Sequence, residues 1–316
     1  MKEPILYLVL PCYNEEEVLA DSIKELTGLL QRMVTDTVIS EKSRMLFVND
    51  GSKDRTWSII EQNHETNPFV CGVNLAANVG HQNAIMAGME AAREYADVVI
   101  TLDADIQDDI EKIPEMVEKF KQGCDIVYGI KNERKADSPF KRITAKGFYK
   151  LMHWLGAKSV YNHADFRLLS KRALYQLSRY PERNLFLRGI IPLMGYKQDV
   201  IYEDLRPRKA GESKYTLTKM LNLAVDGITS FSTKPIRFLF ILGLVFVLIA
   251  LIMSIHILIT LFSGKAVAGW SSMMLSLWFI GGCIMIAIGI VGEYIGKIYI
   301  EVKQRPRYNI ENTLIK

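Results

Sequence analysis

The chain has 316 residues, 49% of them apolar, enough for one sizeable domain plus a membrane part. Its net charge of +4 is unevenly placed: residues 1–235 hold 32 Lys/Arg against 32 Asp/Glu, and residues 236–316 hold 7 against 3. The excess sits with the hydrophobic end, and the absence of a basic stripe with interleaved aromatics excludes a nucleic-acid binder. Cys12, Cys71, Cys124 and Cys283 form no C-x-x-C pair and read as reduced thiols of a cytosol-facing domain. The five histidines show no metal-ligand spacing. The first apolar run is short and ends at Pro11, so no signal peptide is expected.

Ile5 to Leu10 reads as a buried strand, broken by Pro11 and followed by Cys12-Tyr13-Asn14-Glu15-Glu16. Met45 to Val48 is a second, ending in Asn49-Asp50-Gly51-Ser52-Lys53-Asp54, and Phe69 to Val73 a third. Each is followed by a helix-like stretch, which predicts an α/β fold with a mostly parallel sheet covered on both faces. Ligands of such sheets bind beyond the carboxyl ends of the strands. Asn14, Asp50, Asp54, Asp103 and Asp105 all map to that edge.

The most informative segment is Thr101-Leu102-Asp103-Ala104-Asp105-Ile106-Gln107, which follows the apolar run Val98 to Ile100. Asp103 and Asp105, two apart, point the same way and suit a hard divalent cation, to which Gln107 adds a neutral oxygen. An acidic turn preceding the helix that Asp108, Asp109 and Glu111 would favour is the alternative. No G-x-G-x-x-G follows the first strand and no G-x-x-x-x-G-K-[ST] loop occurs, which argues against dinucleotide and P-loop sites.

Pro11-Cys12-Tyr13-Asn14-Glu15, Asp50-Gly51-Ser52-Lys53-Asp54 and Asp103-Ala104-Asp105-Ile106-Gln107 resemble the three sugar-nucleotide signatures of family 2 glycosyltransferases. Asn78-Val79-Gly80-His81-Gln82, Asp165-Phe166-Arg167-Leu168-Leu169 and Arg208 to Lys214 resemble its polyprenyl-phosphate branch, which includes dolichol-phosphate mannose synthase and bactoprenol glucosyltransferases. The resemblance implies a GT-A Rossmann-like domain and an inverting, single transfer of a hexose from a nucleotide sugar. UDP-glucose is the leading donor, with UDP-GlcNAc, GDP-mannose or a modified sugar as alternatives. The acceptor would be undecaprenyl or another polyprenyl phosphate, and the lipid-linked sugar would pass to a flippase and a downstream glycosyltransferase. The Gln-x-x-Arg-Trp signature of processive members is absent. A non-catalytic membrane scaffold is the alternative from another class.

By the same resemblance, Pro11, Tyr13, Asn14, Glu15, Asp50, Asp54 and Asp103 belong to the nucleotide-sugar site. Asp103 and Asp105, with Asp165, are the catalytic carboxylates; Asp105 and Gln107 are the Mg²⁺ or Mn²⁺ ligands, and Arg208, Ser213 and Lys214 lie in a loop over the diphosphate. Asp165 stands where related enzymes carry a catalytic acid, and here either serves as base or orients the acceptor or Arg167. His81 is placed near the site, a loop-packing role being the alternative. Lys131, Arg134, Lys141 and Arg142, from a basic run between Lys131 and Lys150, are the expected ligands of the acceptor phosphate.

Leu217, Met220, Leu221, Ala224, Val225, Ile228 and Phe231 recur at helical spacing, predicting an amphipathic interfacial helix that ends at Lys234-Pro235. Phe238 to Phe262 (25 residues) and Met273 to Gly292 (20 residues) are uncharged and long enough to span a bilayer. Lys234 and Arg237 precede the first, and Lys297, Lys303, Arg305 and Arg307 follow the second. The positive-inside rule therefore puts both termini in the cytoplasm. Gly292 and Gly296 form a G-x-x-x-G that hints at helix packing within or between subunits. The expected organisation is a catalytic domain over 1–214, an interfacial helix over 215–235, a membrane hairpin over 236–300 and a basic tail over 301–316. The protein is expected in the inner or plasma membrane among lipids, as a homo-oligomer, a tetramer by the resemblance.

Overall fold

The computed structural model describes residues 3–131, 163–183, 185–203, 232–262 and 269–315. They fall into two compact units: the first from residues 1–149, 158–216 and 305–316, the second from 150–157 and 217–304.

The first unit begins with β1 (Leu6–Cys12), whose seven residues are all buried, as a strand covered on both faces requires. Next come α1 (Leu19–Thr35), β2 (Arg44–Asn49), α2 (Thr56–Thr66), β3 (Val70–Leu75), α3 (His81–Ala92) and β4 (Val98–Thr101). Helix α1 buries Leu19, Ile23, Leu26, Leu30 and Met33, one stripe at three- and four-residue spacing. The rest of the unit comprises α4 (Ile113–Lys121), β5 (Ile126–Lys131), β6 (His163–Ser170), α5 (Lys171–Leu177), α6 (Leu187–Leu193), β7 (Gln198–Glu203) and, from the C-terminal segment, β8 (Ile310–Leu314).

The eight strands form one sheet in the order β7-β5-β6-β4-β1-β2-β3-β8. Its centre is parallel, as expected: β1 pairs in parallel with β2 and β4, and β2 with β3. The departures are β6, antiparallel to both β4 and β5, and β8, antiparallel to β3. Strand direction decides what each contributes to the functional edge. Strands β1, β2, β4, β5 and β7 deliver their C-terminal ends there. The reversed strands β6 and β8 deliver their beginnings, with Arg167 opposite Thr101 and Ile310 opposite Leu75.

Two expected boundaries shift. Residues 301–316 are not a tail: 301–303 complete a helix, and Ile310–Leu314 covers the open edge of β3, giving its backbone groups partners. Lys234-Pro235 does not end a helix but begins one. Proline is tolerated in a first helical turn because no donor is needed there, and Thr233 O accepts from Arg237 N at 3.2 Å. The proposed interfacial helix itself, 217–231, lies outside the described residues.

The second unit contains two long helices, α7 (Lys234–Phe262) and α8 (Trp270–Lys303). Among the described residues, Phe279–Lys303 is long and apolar enough to cross a membrane by length and composition. Phe246 and Phe279 meet edge to face at 5.9 Å, and Tyr294 donates to Ser232 O. Helix α8 ends at Gln304, in the left-handed region with φ 46°.

Candidate active site

At the C-terminal edge of β1 and β2 two loops are tied together. Asn14, with φ 53°, donates its N–H to Ser52 Oγ at 3.0 Å and accepts from Lys53 N at 2.9 Å. Glu15 N donates to Thr56 Oγ1 at 3.0 Å. Asp54 accepts from Thr56 N at 3.0 Å, Thr56 Oγ1 at 2.6 Å and Glu16 N at 3.1 Å. These bonds outweigh burial and hold its pKa below 3.8. Asp50 is buried, and both its oxygens accept backbone bonds, from Val79 N at 2.7 Å and Gly80 N at 3.0 Å. Burial still pushes its pKa up against those bonds. Asp50 and Asp54 therefore act first as knots of the loop framework. Pro11 lies buried in β1 opposite Val48, and Tyr13 stands exposed at the rim.

Beyond β4 the chain turns sharply, Ile106 N donating to Asp103 O at 3.1 Å. Ile106 has φ 47°, strained for a β-branched residue, and is held there by burial in the core. The turn presents Asp103 and Asp105, and Gln107 Nε2 donates to Asp105 Oδ2. Asp103 has its pKa raised to about 6, by desolvation first and then by Asp108, Asp165 and Asp105, with His81 opposing. Among the described residues no three His, Cys, Asp or Glu side chains form a ready-made metal cage. Crowded hard oxygens at Asp103, Asp105 and Gln107 nevertheless fit Mg²⁺ or Mn²⁺, which one or two carboxylates hold together with substrate phosphates.

Asp165 enters from the reversed strand β6. Its carboxylate accepts from Arg167 Nη2, from Arg188 Nη2 at 3.1 Å and makes a 3.1 Å contact with His81 Nε2. Burial disfavours its charge, but Arg167, Arg188 and His81 together hold its pKa well below 3.8. A carboxylate so weakly basic is a poor proton acceptor and a good anchor for cations. His81 stands at the start of α3, 3.7 Å from Asp103 Oδ1. Burial works against its charge, yet Asp165 and Asp103 raise its pKa above 6.5.

On the far side Lys131 Nζ sits 3.2 Å from Asp108 Oδ1. Lys131 is paired in register with Glu203, whose Oε2 accepts from Asp109 N at 2.9 Å. Glu203 is fully buried, and desolvation together with Asp108 lifts its pKa to about 7.

The structure thus gathers Asn14, Asp50, Asp54, Asp103, Asp105, Gln107, Lys131 and Asp165 at one edge. Arg134, Lys141, Arg142, Arg208, Ser213 and Lys214 lie outside the described residues. Sequence reasoning passed over Arg188 and Glu203. Glu203 carried the same signal as Asp103, a carboxylate at the end of a strand. Arg188 carried none, being brought to Asp165 from a separate helix.

Residues 7–178 match the family described as Glycosyl transferase family 2. The chain is 50% identical to the uncharacterized glycosyltransferase YkoT of Bacillus subtilis (strain 168), over 98% of this chain and 92% of that protein. It is 39% identical to the prophage bactoprenol glucosyl transferase homolog of Escherichia coli (strain K12), over 96% and 97%. The bactoprenol glucosyl transferase of Shigella phage SfII is also 39% identical, over 97% of each chain. Signature loops, strand-end carboxylates and near full-length similarity converge: the chain belongs to glycosyltransferase family 2.

Proposed function

We propose that this protein transfers glucose from UDP-glucose to undecaprenyl phosphate, with inversion, at the cytoplasmic face of the plasma membrane. The carrying observation is the carboxylate-rich turn Asp103–Gln107 beside the tied donor loops, in a chain similar over nearly its whole length to bactoprenol glucosyl transferases. Asp105 and Gln107 would hold Mg²⁺ or Mn²⁺, which supplies charge stabilisation to a departing diphosphate. The loops around Asn14 and Ser52 bind and orient the nucleotide, and Asp50 fixes the turn at Val79–Gly80 beneath it.

The acceptor oxygen of a lipid phosphate is already anionic at neutral pH, so no strong base is needed. Asp165 accordingly acts by holding Arg167, Arg188 and His81 in place. Lys131, steered by Asp108, stands at the start of the basic segment assigned to the acceptor phosphate, with Arg134, Lys141 and Arg142 following. Arg208, Ser213 and Lys214 are the diphosphate ligands of this reading. Helices α7 and α8 both span the bilayer, about 30 Å of hydrocarbon, and the excess of α8 (34 residues, about 51 Å) projects on the cytoplasmic side with Lys297 and Lys303. A tetramer packed through these helices and a flippase that consumes the product complete the reading.

The test is a donor screen in detergent with undecaprenyl phosphate, Mn²⁺ or Mg²⁺, and labelled UDP-glucose, UDP-galactose, UDP-GlcNAc and GDP-mannose in turn. Label should enter the organic phase from UDP-glucose and be lost with EDTA. Transfer from another donor alone would overturn the glucose assignment. Binding of nucleotide and lipid without transfer from any donor would overturn the enzymatic one.

A further inference from the structure

A continuous line of hydrogen bonds runs from the C-terminal strand to the donor loops. Glu311 Oε2 on β8 accepts from Asn74 Nδ2 on β3 at 2.8 Å. Asn74 Oδ1 accepts from Asn49 Nδ2 at the end of β2 at 2.7 Å. Asn49 Oδ1 in turn accepts from Ser52 N at 3.4 Å, and Ser52 Oγ accepts from Asn14 N at 3.0 Å. Asn49 is buried and Asn74 half-buried.

The polarity of this line is set at one end. An amide side chain accepts on one side and donates on the other, so two amides in series admit two opposite directions. A carboxylate only accepts. Glu311 therefore obliges Asn74 to turn its Nδ2 outward and its Oδ1 toward Asn49. Asn49 must then present Oδ1, not Nδ2, to the Ser52 N–H. In the opposite direction Asn49 would set donor against donor at Ser52. The β8 backbone supports the same junction, Ala76 N donating to Asn309 O at 2.9 Å.

We propose that Glu311 is a positioning residue for the donor site: through Asn74 and Asn49 it fixes the amide direction that holds Ser52 and Asn14 in place. The loop so held is the one assigned to the nucleotide, and the proposal rests on that reading. The consequence is unusual for an exposed strand residue near the chain end. Its chemistry as an acceptor, rather than its size or charge, should govern donor affinity.

The experiment compares Glu311→Gln, Glu311→Ala and Glu311→Lys in the full-length protein in detergent. The readouts are UDP affinity by calorimetry and backbone amide exchange over residues 49–55. Glutamine keeps an acceptor oxygen and should match the wild type. Alanine frees the amides and should weaken UDP by about 3- to 10-fold, the worth of one modest hydrogen bond. Lysine imposes the opposite polarity and should weaken it further, with faster exchange at Ser52. Alanine and lysine lose the same contact, so a gap between them reports polarity rather than a loosened strand. In an Asn74→Ala background, Glu311→Ala should add nothing. Equal exchange and equal UDP affinity in all three variants would overturn the proposal. So would a full additive effect in the Asn74→Ala background. Failure of the wild type itself to bind UDP would instead sink the uridine reading, and exchange at Ser52 would then decide the relay by itself.

Discussion

Replacing Asp165 with asparagine separates an anchor from a base. Asp165 faces two guanidinium groups, Arg167 and Arg188, and the His81 imidazole, and Arg167 is completely buried. Removing one partner of a buried pair leaves an uncompensated charge and typically costs about 3–5 kcal/mol. A domain of this size loses about 2–4 °C of Tm per kcal/mol, so Asp165→Asn should lower Tm by roughly 6–20 °C. Activity should fall with it, through displaced Arg188 and His81. The companion variant Asp165→Asn/Arg167→Met removes the stranded charge and should recover part of the lost Tm.

The pH dependence has a definite sign. The folded pKa of Asp165 lies well below the unfolded 3.8. Its contribution to stability is therefore complete above 3.8 and lost as pH falls toward the depressed value. Any acid limb in the activity profile near neutrality must come from another group, and the limb should persist in Asp165→Asn. The assays are thermal melts and label transfer from pH 5 to 9. A variant with wild-type Tm, a 10²–10⁴-fold loss of kcat and a vanished acid limb would show Asp165 to be a base and refute the anchor.

Three further outcomes follow from the geometry. Asp105→Asn should cut lipid-linked label at least about 100-fold while leaving the melt unchanged, and activity equal to wild type would remove Asp105 from the cation site. Glu203→Gln should raise Tm at pH 8 but not at pH 4.5. The wild-type pKa of about 7 means stability is lost as pH rises through it, by up to about 3 kcal/mol; no difference at pH 8 would contradict the buried charge. Gly88→Ala should destabilise by about 1–3 kcal/mol, because a Cβ there would meet Val9 Cγ1 at 2.4 Å and Val48 Cγ2 at 2.7 Å. An unchanged melt would show that α3 can lift from the sheet without cost.

The central sheet was legible because buried parallel strands are near-continuous apolar runs, and those at Leu6–Cys12, Arg44–Asn49 and Val98–Thr101 ended where turn residues began. Strand direction was not legible. Nothing local marks β6 as reversed, yet reversal alone brings Asp165, near its beginning, to the edge where β4 ends. The C-terminal strand was hidden for a related reason. Ile310–Leu314 has one exposed face after another and reads as a polar tail until β3 provides an edge to pair with. Arg188 illustrates a third kind of silence, since its partner is 23 residues away in sequence and on a different element.

The acidic residues themselves look alike in sequence and differ completely in surroundings. Asp50 and Asp54 have their oxygens occupied by backbone and threonine donors, so they shape loops. Asp165 is neutralised by two arginines and also contacts His81, so it holds them in place. Asp103 is raised to about 6 by burial and neighbouring carboxylates. Protein cations only partly relieve that crowding, through His81 on Asp103 and Lys131 on Asp108. A divalent cation held by Asp105 and Gln107 would relieve more, and would supply positive charge beside a diphosphate. On the proposed function the catalytic carboxylates are those of the strained turn at Ile106, while Asp108 and Glu203, also buried and crowded, are engaged by Lys131 and by Asp109 N.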